Sequence, residues 1–342
     1  MNMGTPIQSV YGLFDTGSSL SWFKCNQEPI DKPKTWYFNQ TRSSSYQVVS
    51  CNDKQKCNTD KYKWFIKGCD KETRCLFDIT YADKDWATGY LSMERIIFRI
   101  GYVKILIQFR FGCSFLDTTK SPGIIGANNN EYSLPRQLYA DDPKFSYCIS
   151  SDLSQINVIL LGPEARIQGQ PVKMLTNPNY DFYYIEVLAI GVNNERLDVP
   201  PSVFKMSESG TRGFIIDSGT ASTWLASEAY DALMKKMVQL FGPPVQYTVQ
   251  GDVHFEICYE SGKFVNGRPP VIGFEFENYL LEIEEKNMWY KVPSSTLQCL
   301  LIFNGLDDKV STLGNYQLLD VNVGYDPNKG LLYFDKLLCP TI

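Results

Sequence analysis

Apolar and polar positions alternate along this chain in short runs with a period of two, which is the pattern of strands. Phe77-Asp78-Ile79-Thr80-Tyr81 alternates, Ala82-Asp83-Lys84-Asp85 makes a polar tip, and Gly89-Tyr90-Leu91 resumes, which predicts a hairpin. Arg95 to Ile100 and Val103 to Phe109 predict a second hairpin turning at Gly101. Residues 4 to 24 read as two strands around a turn, and 25 to 75 as polar loops and short strands. Phe182 to Val192 reads as one long strand turned by Asn193-Asn194, and strands return from Val271 to the end. Two segments read as helical. Leu134 to Leu138 starts at a proline. Ser227 to Leu240 has Ser227 as its N-cap, an apolar face of Tyr230, Leu233, Met234, Met237 and Leu240, and Gly242-Pro243 as its stop. The chain turns polar between 165 and 180, so two lobes are expected, 1–178 and 179–342.

Within this strand pattern one unit occurs twice. The apolar run Val10 to Phe14 ends in Asp15-Thr16-Gly17-Ser18, and Phe214-Ile215-Ile216 ends in Asp217-Ser218-Gly219-Thr220. Each places a carboxylate at the end of a strand, in a turn that glycine permits and hydroxyls can brace. An apolar pair closed by glycine follows each turn, Gly123-Ile124-Ile125-Gly126 and then Thr312-Leu313-Gly314-Asn315. The order suggests a duplicated unit that brings two carboxylates together.

Composition narrows the chemistry. The 342 residues are 44% hydrophobic, enough for a large core or two lobes, and 14% aromatic, which favours strands. A net charge of −5 gives no support to a nucleic-acid partner or a basic membrane patch, and no apolar run is long enough to span a bilayer. The 10 cysteines point to disulfides and an oxidising compartment. Cys51, Cys57, Cys69 and Cys75 cluster without the short Cys-x-x-Cys pairs of a zinc site, so no metal is expected. Met1 to Pro6 enters a turn at once and is no signal peptide, so a truncated N-terminus is expected. The single histidine, His254, leaves little room for a Ser-His-Asp triad, and no Gly-x-Ser-x-Gly elbow is present. Asn39-Gln40-Thr41 is a glycosylation sequon.

Taken together, these residues resemble the pepsin-like aspartic protease family. Both aspartate turns match its active-site motifs, both glycine-closed segments match its loop-crossing strands, and Trp22 matches the tryptophan that braces its flap tyrosine. The cysteine cluster from Cys51 to Cys75, Phe111-Gly112-Cys113, Ser133-Leu134-Pro135, Phe145-Ser146-Tyr147-Cys148 and Phe182-Tyr183-Tyr184 resemble the nepenthesin-like plant branch. The resemblance covers Gly4 to Cys339 and implies an all-β, bilobal fold with a few short helices and a substrate cleft between the lobes.

The resemblance also implies roles. Asp15 and Asp217 would be catalytic, sharing a proton and activating a water against a peptide bond, with no cofactor and no covalent intermediate. Ser18 and Thr220 would bond the outer carboxylate oxygens, and Thr16 and Ser218 would reach across to lock the two loops, with Gly17 and Gly219 in the turns. Tyr81 would be the flap tyrosine. The disulfides implied are Cys51–Cys75, Cys57–Cys69, Cys148–Cys339 and Cys258–Cys299, with Cys25–Cys113 by elimination. The expected protein is a secreted or vacuolar monomer that cleaves polypeptide beside bulky apolar residues at acidic pH. Two departures stand out: a charged flap tip where the plant family is glycine-rich, and no first strand or propeptide before Met3-Gly4-Thr5. They keep a second reading in view, a binding or inhibitor protein on the same fold, as in plant xylanase inhibitors. A third, a structural β protein with two accidental turns, would need all four motif segments to be coincidence.

Overall fold

The computed structural model describes residues 1–25, 37–100, 103–249, 253–305, 310–336 and 339. The chain divides into two compact units, Met1–Asp141 and Asp142–Ile342.

The first unit is built on strands β1 (Asn2–Met3), β2 (Gln8–Ser9), β3 (Leu13–Asp15), β4 (Trp22–Lys24), β5 (Gln47–Val48), β6 (Ile66–Cys69), β7 (Cys75–Thr80), β8 (Trp86–Ile100), β9 (Val103–Asp117) and β10 (Gly123–Gly126), with one short helix, α1 (Leu134–Leu138). They form one ten-stranded sheet whose main path runs β2-β1-β8-β9-β4-β10-β3. The hairpin expected at 77–91 is β7 paired with β8, with Thr80 opposite Trp86. Its neighbour is not separate: β8 runs on unbroken to Ile100 and pairs along its length with β9, because Gly89 lets Cys113 approach where any side chain would clash. The turn expected at Gly101 lies outside the described residues. Alternation explains the burial. Cys75 and Phe77 face inward and join Leu20, Trp22, Leu91, Ile124 and Tyr132 in one core.

The second unit begins with β11 (Phe145–Cys148), β12 (Val158–Leu161), β13 (Gln170–Leu175), β14 (Tyr184–Ile185), β15 (Ala189–Val192), β16 (Glu195–Arg196), β17 (Phe214–Ile216) and β18 (Thr223–Leu225). Helix α2 (Ser227–Phe241) follows, then β19 (Val245–Thr248), β20 (His254–Glu260), β21 (Ile272–Glu275), β22 (Leu280–Ile283), β23 (Trp289–Lys291), β24 (Leu297–Leu300), β25 (Ile302–Asn304), β26 (Ser311–Leu313), β27 (Val321–Asp326) and β28 (Leu331–Lys336). Ten strands run β12-β11-β27-β28-β13-β14-β17-β26-β18-β25, and two four-stranded sheets run β16-β15-β21-β22 and β19-β20-β24-β23.

Three expectations shift here. The unit boundary lies at Asp141, not near 178, because β11 and β13 pair with β27 and β28 from the far end of the chain. The strand expected over 182–192 is two short strands, since β14 pairs with β13 and β17 while β15 joins β21 in another sheet. Helix α2 is where expected, but Ser227 is its first residue rather than its N-cap. Ala226 occupies the N-cap position with no side-chain capping bond, and the Ser227 hydroxyl donates to Asn304 Oδ1. Its inner face is Ala229, Tyr230, Leu233 and Met237; Leu240 is 42% exposed.

All ten cysteines are paired. Cys25–Cys113, Cys148–Cys339 and Cys258–Cys299 join the residues expected. The cysteine cluster is corrected: Cys51 bonds Cys69 and Cys57 bonds Cys75, a crossed pattern in place of the nested Cys51–Cys75 and Cys57–Cys69. The cause is the turn after Cys51. It folds Cys57 N–H back onto the Asp53 carbonyl at 2.8 Å and brings Cys51 and Cys57 sulfurs to 3.7 Å. Cys51 then lies against Gly68, next to Cys69, while Cys57 points into the core where Cys75 is fully buried. The sulfurs of Cys51, Cys57 and Cys75 lie within 4.8 Å of one another, but as disulfides they offer no thiolate to a metal.

One ion pair in the second unit ties fold stability to pH. The buried Asp320 carboxylate accepts from Lys286 Nζ and from the hydroxyl and N–H of Ser151. Burial alone would push this carboxyl up, but those donors outweigh it and hold it below the ordinary carboxylate value. A depressed carboxylate adds stability that is complete above the ordinary range and is lost as pH falls through the lowered value. Lys286 is 46% exposed, so the bridge is screened and is worth about 1 kcal/mol. Lys286→Met is expected to lower Tm by roughly 2–4 °C at neutral pH. That difference should shrink at acidic pH, as Asp320 takes up its proton through its lowered value. Thermal melts across pH check this, and an equal gap at both pH values would refute it.

Candidate active site

In the first unit, Asp15 ends β3, which lies parallel to β10 with Asp15 beside Gly126. Gly17 N–H donates to Asp15 Oδ1 at 2.7 Å and the Ser18 hydroxyl donates to Oδ2. The backbone is pinned as well, Ala127 N–H donating to the Asp15 carbonyl at 2.8 Å. Asp15 is buried, so these donors replace the water its carboxylate gives up.

The second unit repeats the side-chain bracing of the first. Asp217 follows β17, which lies parallel to β26, and its N–H donates to the Leu313 carbonyl at 3.2 Å. Gly219 N–H donates to Asp217 Oδ1 at 2.9 Å and the Thr220 hydroxyl to Oδ2 at 2.7 Å. Thr16 and Ser218, the second residues of the turns, are 0% and 3% exposed, so neither hydroxyl faces solvent.

Each turn is held by a glycine at which any side chain would press into backbone. A Cβ on Gly126 would sit 2.7 Å from the Ser19 carbonyl oxygen, and one on Gly314 would sit 2.3 Å from that of Ser222. Both glycines also donate their N–H to a hydroxyl six residues beyond the aspartate: Gly126 to Ser21 Oγ at 3.0 Å, Gly314 to Thr223 Oγ1 at 3.2 Å. Sequence reasoning missed Ser21 and Thr223. Aligning the turns beyond their fourth residue would have found them, since both run hydroxyl-Trp at the same offset, Ser21-Trp22 and Thr223-Trp224.

The two tryptophans differ in their surroundings. Trp22 is fully buried, and its Nε1 donates to the Tyr81 hydroxyl at 2.6 Å. Trp224 is 41% exposed with its ring on Phe303 at 5.1 Å. Tyr81 stands at the tip of the β7–β8 hairpin, close enough to Asp15 for the carboxylate charge to act on its phenol. Trp22 thus holds the Tyr81 hydroxyl, and Ser18 holds the Asp15 carboxylate. Burial, and then the Asp15 charge, push the Tyr81 phenol well up, so it stays protonated at every working pH. The sequon residue Asn39 is half-buried, with its Oδ1 accepting from Thr41 Oγ1 at 2.7 Å and its backbone held by Gln8.

Two all-β units, each ending a strand in a braced aspartate turn locked by a buried glycine, define the pepsin-like class of fold and site. Residues 1–163 match the family described as Xylanase inhibitor N-terminal and 182–336 match Xylanase inhibitor C-terminal. The chain belongs to the pepsin-like aspartic protease family, in its nepenthesin-like plant branch. It is 29% identical over 349 residues to aspartic proteinase nepenthesin-2 of Nepenthes gracilis, covering 95% of this chain and 73% of that one. The crystal structure of edgp matches with a TM-score of 0.78 at 19% identity, over 98% of this chain and 90% of that one. Soybean basic 7S globulin matches with a TM-score of 0.76 at 20% identity, over 99% and 92%. At such identities these two structures speak for the fold alone. Among the described residues, no helix is long and apolar enough to cross a membrane.

Proposed function

We propose that this chain is an acid-active aspartic endopeptidase in which Asp15 and Asp217 work as one pair on a polypeptide substrate. The observation that carries the reading is the matched bracing of the two carboxylates, each held by a glycine N–H on Oδ1 and a hydroxyl on Oδ2. Two close carboxylates cannot both ionise cheaply, a rule for which aspartic proteases are themselves the standard example, so the pair would hold one proton. The ionised member would take a proton from water as its oxygen bonds the peptide carbon, while the protonated member gives its proton to the carbonyl oxygen. Collapse of the resulting diol would break the C–N bond and pass a proton to the departing amine. Thr16 and Ser218 would keep the two turns in register, and Tyr81 with Trp22 would cover the substrate and exclude water. Five disulfides suit an oxidising compartment, secreted or vacuolar, where Asn39 would carry a glycan.

Cleavage of an unfolded protein at acidic pH, with and without pepstatin, tests this. Cleavage abolished by pepstatin is expected. The match to a family described as xylanase inhibitor favours one competing reading, a glycosidase-binding protein on this fold. Tight binding to a xylanase with no cleavage at any acidic pH would establish that reading and overturn the first.

A further inference from the structure

The charged tip of the β7–β8 hairpin is tied down at a point that the catalytic motifs do not explain. Tyr81 N–H donates to the Asp85 carbonyl at 2.7 Å, and Lys84 N–H to the Tyr81 carbonyl at 3.0 Å, so residues 81–85 close as a turn. Asp83 Oδ1 accepts from Asp85 N–H at 2.9 Å and stiffens it. The turn is then fastened from outside. The Thr118 hydroxyl donates to Asp85 Oδ1 at 3.0 Å and accepts from Trp86 N–H at 2.9 Å, while Thr118 N–H donates to the Trp86 carbonyl at 3.0 Å.

Thr118 is itself anchored through its neighbours. Lys24 Nζ pairs with Asp117 at 2.9 Å and donates to the Thr119 carbonyl at 2.8 Å. The two side chains are 15% and 11% exposed, so this bridge is shielded in a way surface pairs are not. Lys24 lies on β4, two residues after Trp22, which holds the Tyr81 hydroxyl. Tyr81 is therefore gripped at both ends from one strand: its ring oxygen through Trp22, its backbone through Asp85, Thr118 and the Lys24–Asp117 bridge.

We propose that Thr118 is a positioning residue that latches the hairpin tip and sets where Tyr81 stands over the Asp15 turn. The consequence for activity rests on the endopeptidase reading; the latch itself does not. The latch also gives the charged tip a use. Asp85 supplies an acceptor that a glycine at that position would lack, so the tip trades backbone freedom for a fixed resting place.

Thr118 is exposed, so Thr118→Val removes the hydroxyl without disturbing a packed core, and Thr118→Ser keeps it. The first measurement is amide hydrogen exchange of the free protein. Trp86 N–H loses its acceptor in the valine variant in any case, so Tyr81 N–H is the informative amide. Its exchange is expected to rise about three- to tenfold in Thr118→Val and to return to wild type in Thr118→Ser. The second is cleavage of a chromogenic peptide at acidic pH. The valine variant should raise KM by a similar factor, again rescued by serine, whereas a variant that merely lost folded protein would lower apparent kcat and leave KM alone. Unchanged Tyr81 exchange in Thr118→Val overturns the latch, and raised exchange with unchanged KM overturns its positioning role. Should the wild type cleave no peptide, the endopeptidase reading falls and exchange alone decides the latch, by the same two outcomes.

Discussion

Asp217→Asn is expected to give a folded protein that no longer cleaves its substrate, with kcat lowered by about four orders of magnitude. The change replaces one carboxylate oxygen by NH2 at constant volume, in a half-buried site whose two bracing bonds come from Gly219 N–H and the Thr220 hydroxyl. An amide can keep one acceptor against one of these donors, and the Thr220 hydroxyl can turn to accept from the new NH2. The turn therefore survives and Tm should change little. An amide cannot take a proton from water, and that is what activity needs. Circular dichroism and a thermal melt verify the fold, and progress curves on an unfolded protein give the rate. Activity within tenfold of wild type would remove Asp217 from the mechanism.

Gly314→Ala is expected to lose stability rather than chemistry alone. The added Cβ would meet the Ser222 carbonyl oxygen at 2.3 Å and that of Ala221 at 2.9 Å. Both are backbone atoms of the segment crossing under β26, so no side chain can swing aside. Overpacking of this kind costs about 3 kcal/mol or more, which for a unit of this size lowers Tm by roughly 6–12 °C. Gly262→Ala is the control, since nothing lies within 4 Å of the position its Cβ would take and its φ is not positive. Equal melting temperatures for the two variants would show that the crossing relaxes and that close packing does not fix the aspartate turn.

The duplicated turn was legible because it is local. Four residues after an apolar strand carry the carboxylate, the glycine and the bracing hydroxyl, and the structure hydrogen-bonds them within three residues of the aspartate. The β7–β8 hairpin was legible for the same reason. What escaped depends on contacts far apart in sequence. The unit boundary follows from β11 pairing with β27, about 175 residues on, which no composition shift near residue 141 announces. The break in 182–192 reflects a choice between sheet partners, to which period-two alternation is blind. The crossed cysteines turn on which partner each of two adjacent sulfurs reaches, a matter of side-chain direction that spacing cannot give. Lys24, Asp117 and Thr118 read as ordinary polar residues until folding brings them to the hairpin tip.

The central claim is that the two turns serve one reaction, and the most direct measurement is the rate of cleavage of one unfolded protein by four proteins: wild type, Asp15→Asn, Asp217→Asn and the double variant. Groups that act as a unit are strongly non-additive. Each single variant is therefore predicted to be as inactive as the double. A single variant that keeps activity near wild type, or two losses that multiply in the double variant, would contradict a shared pair.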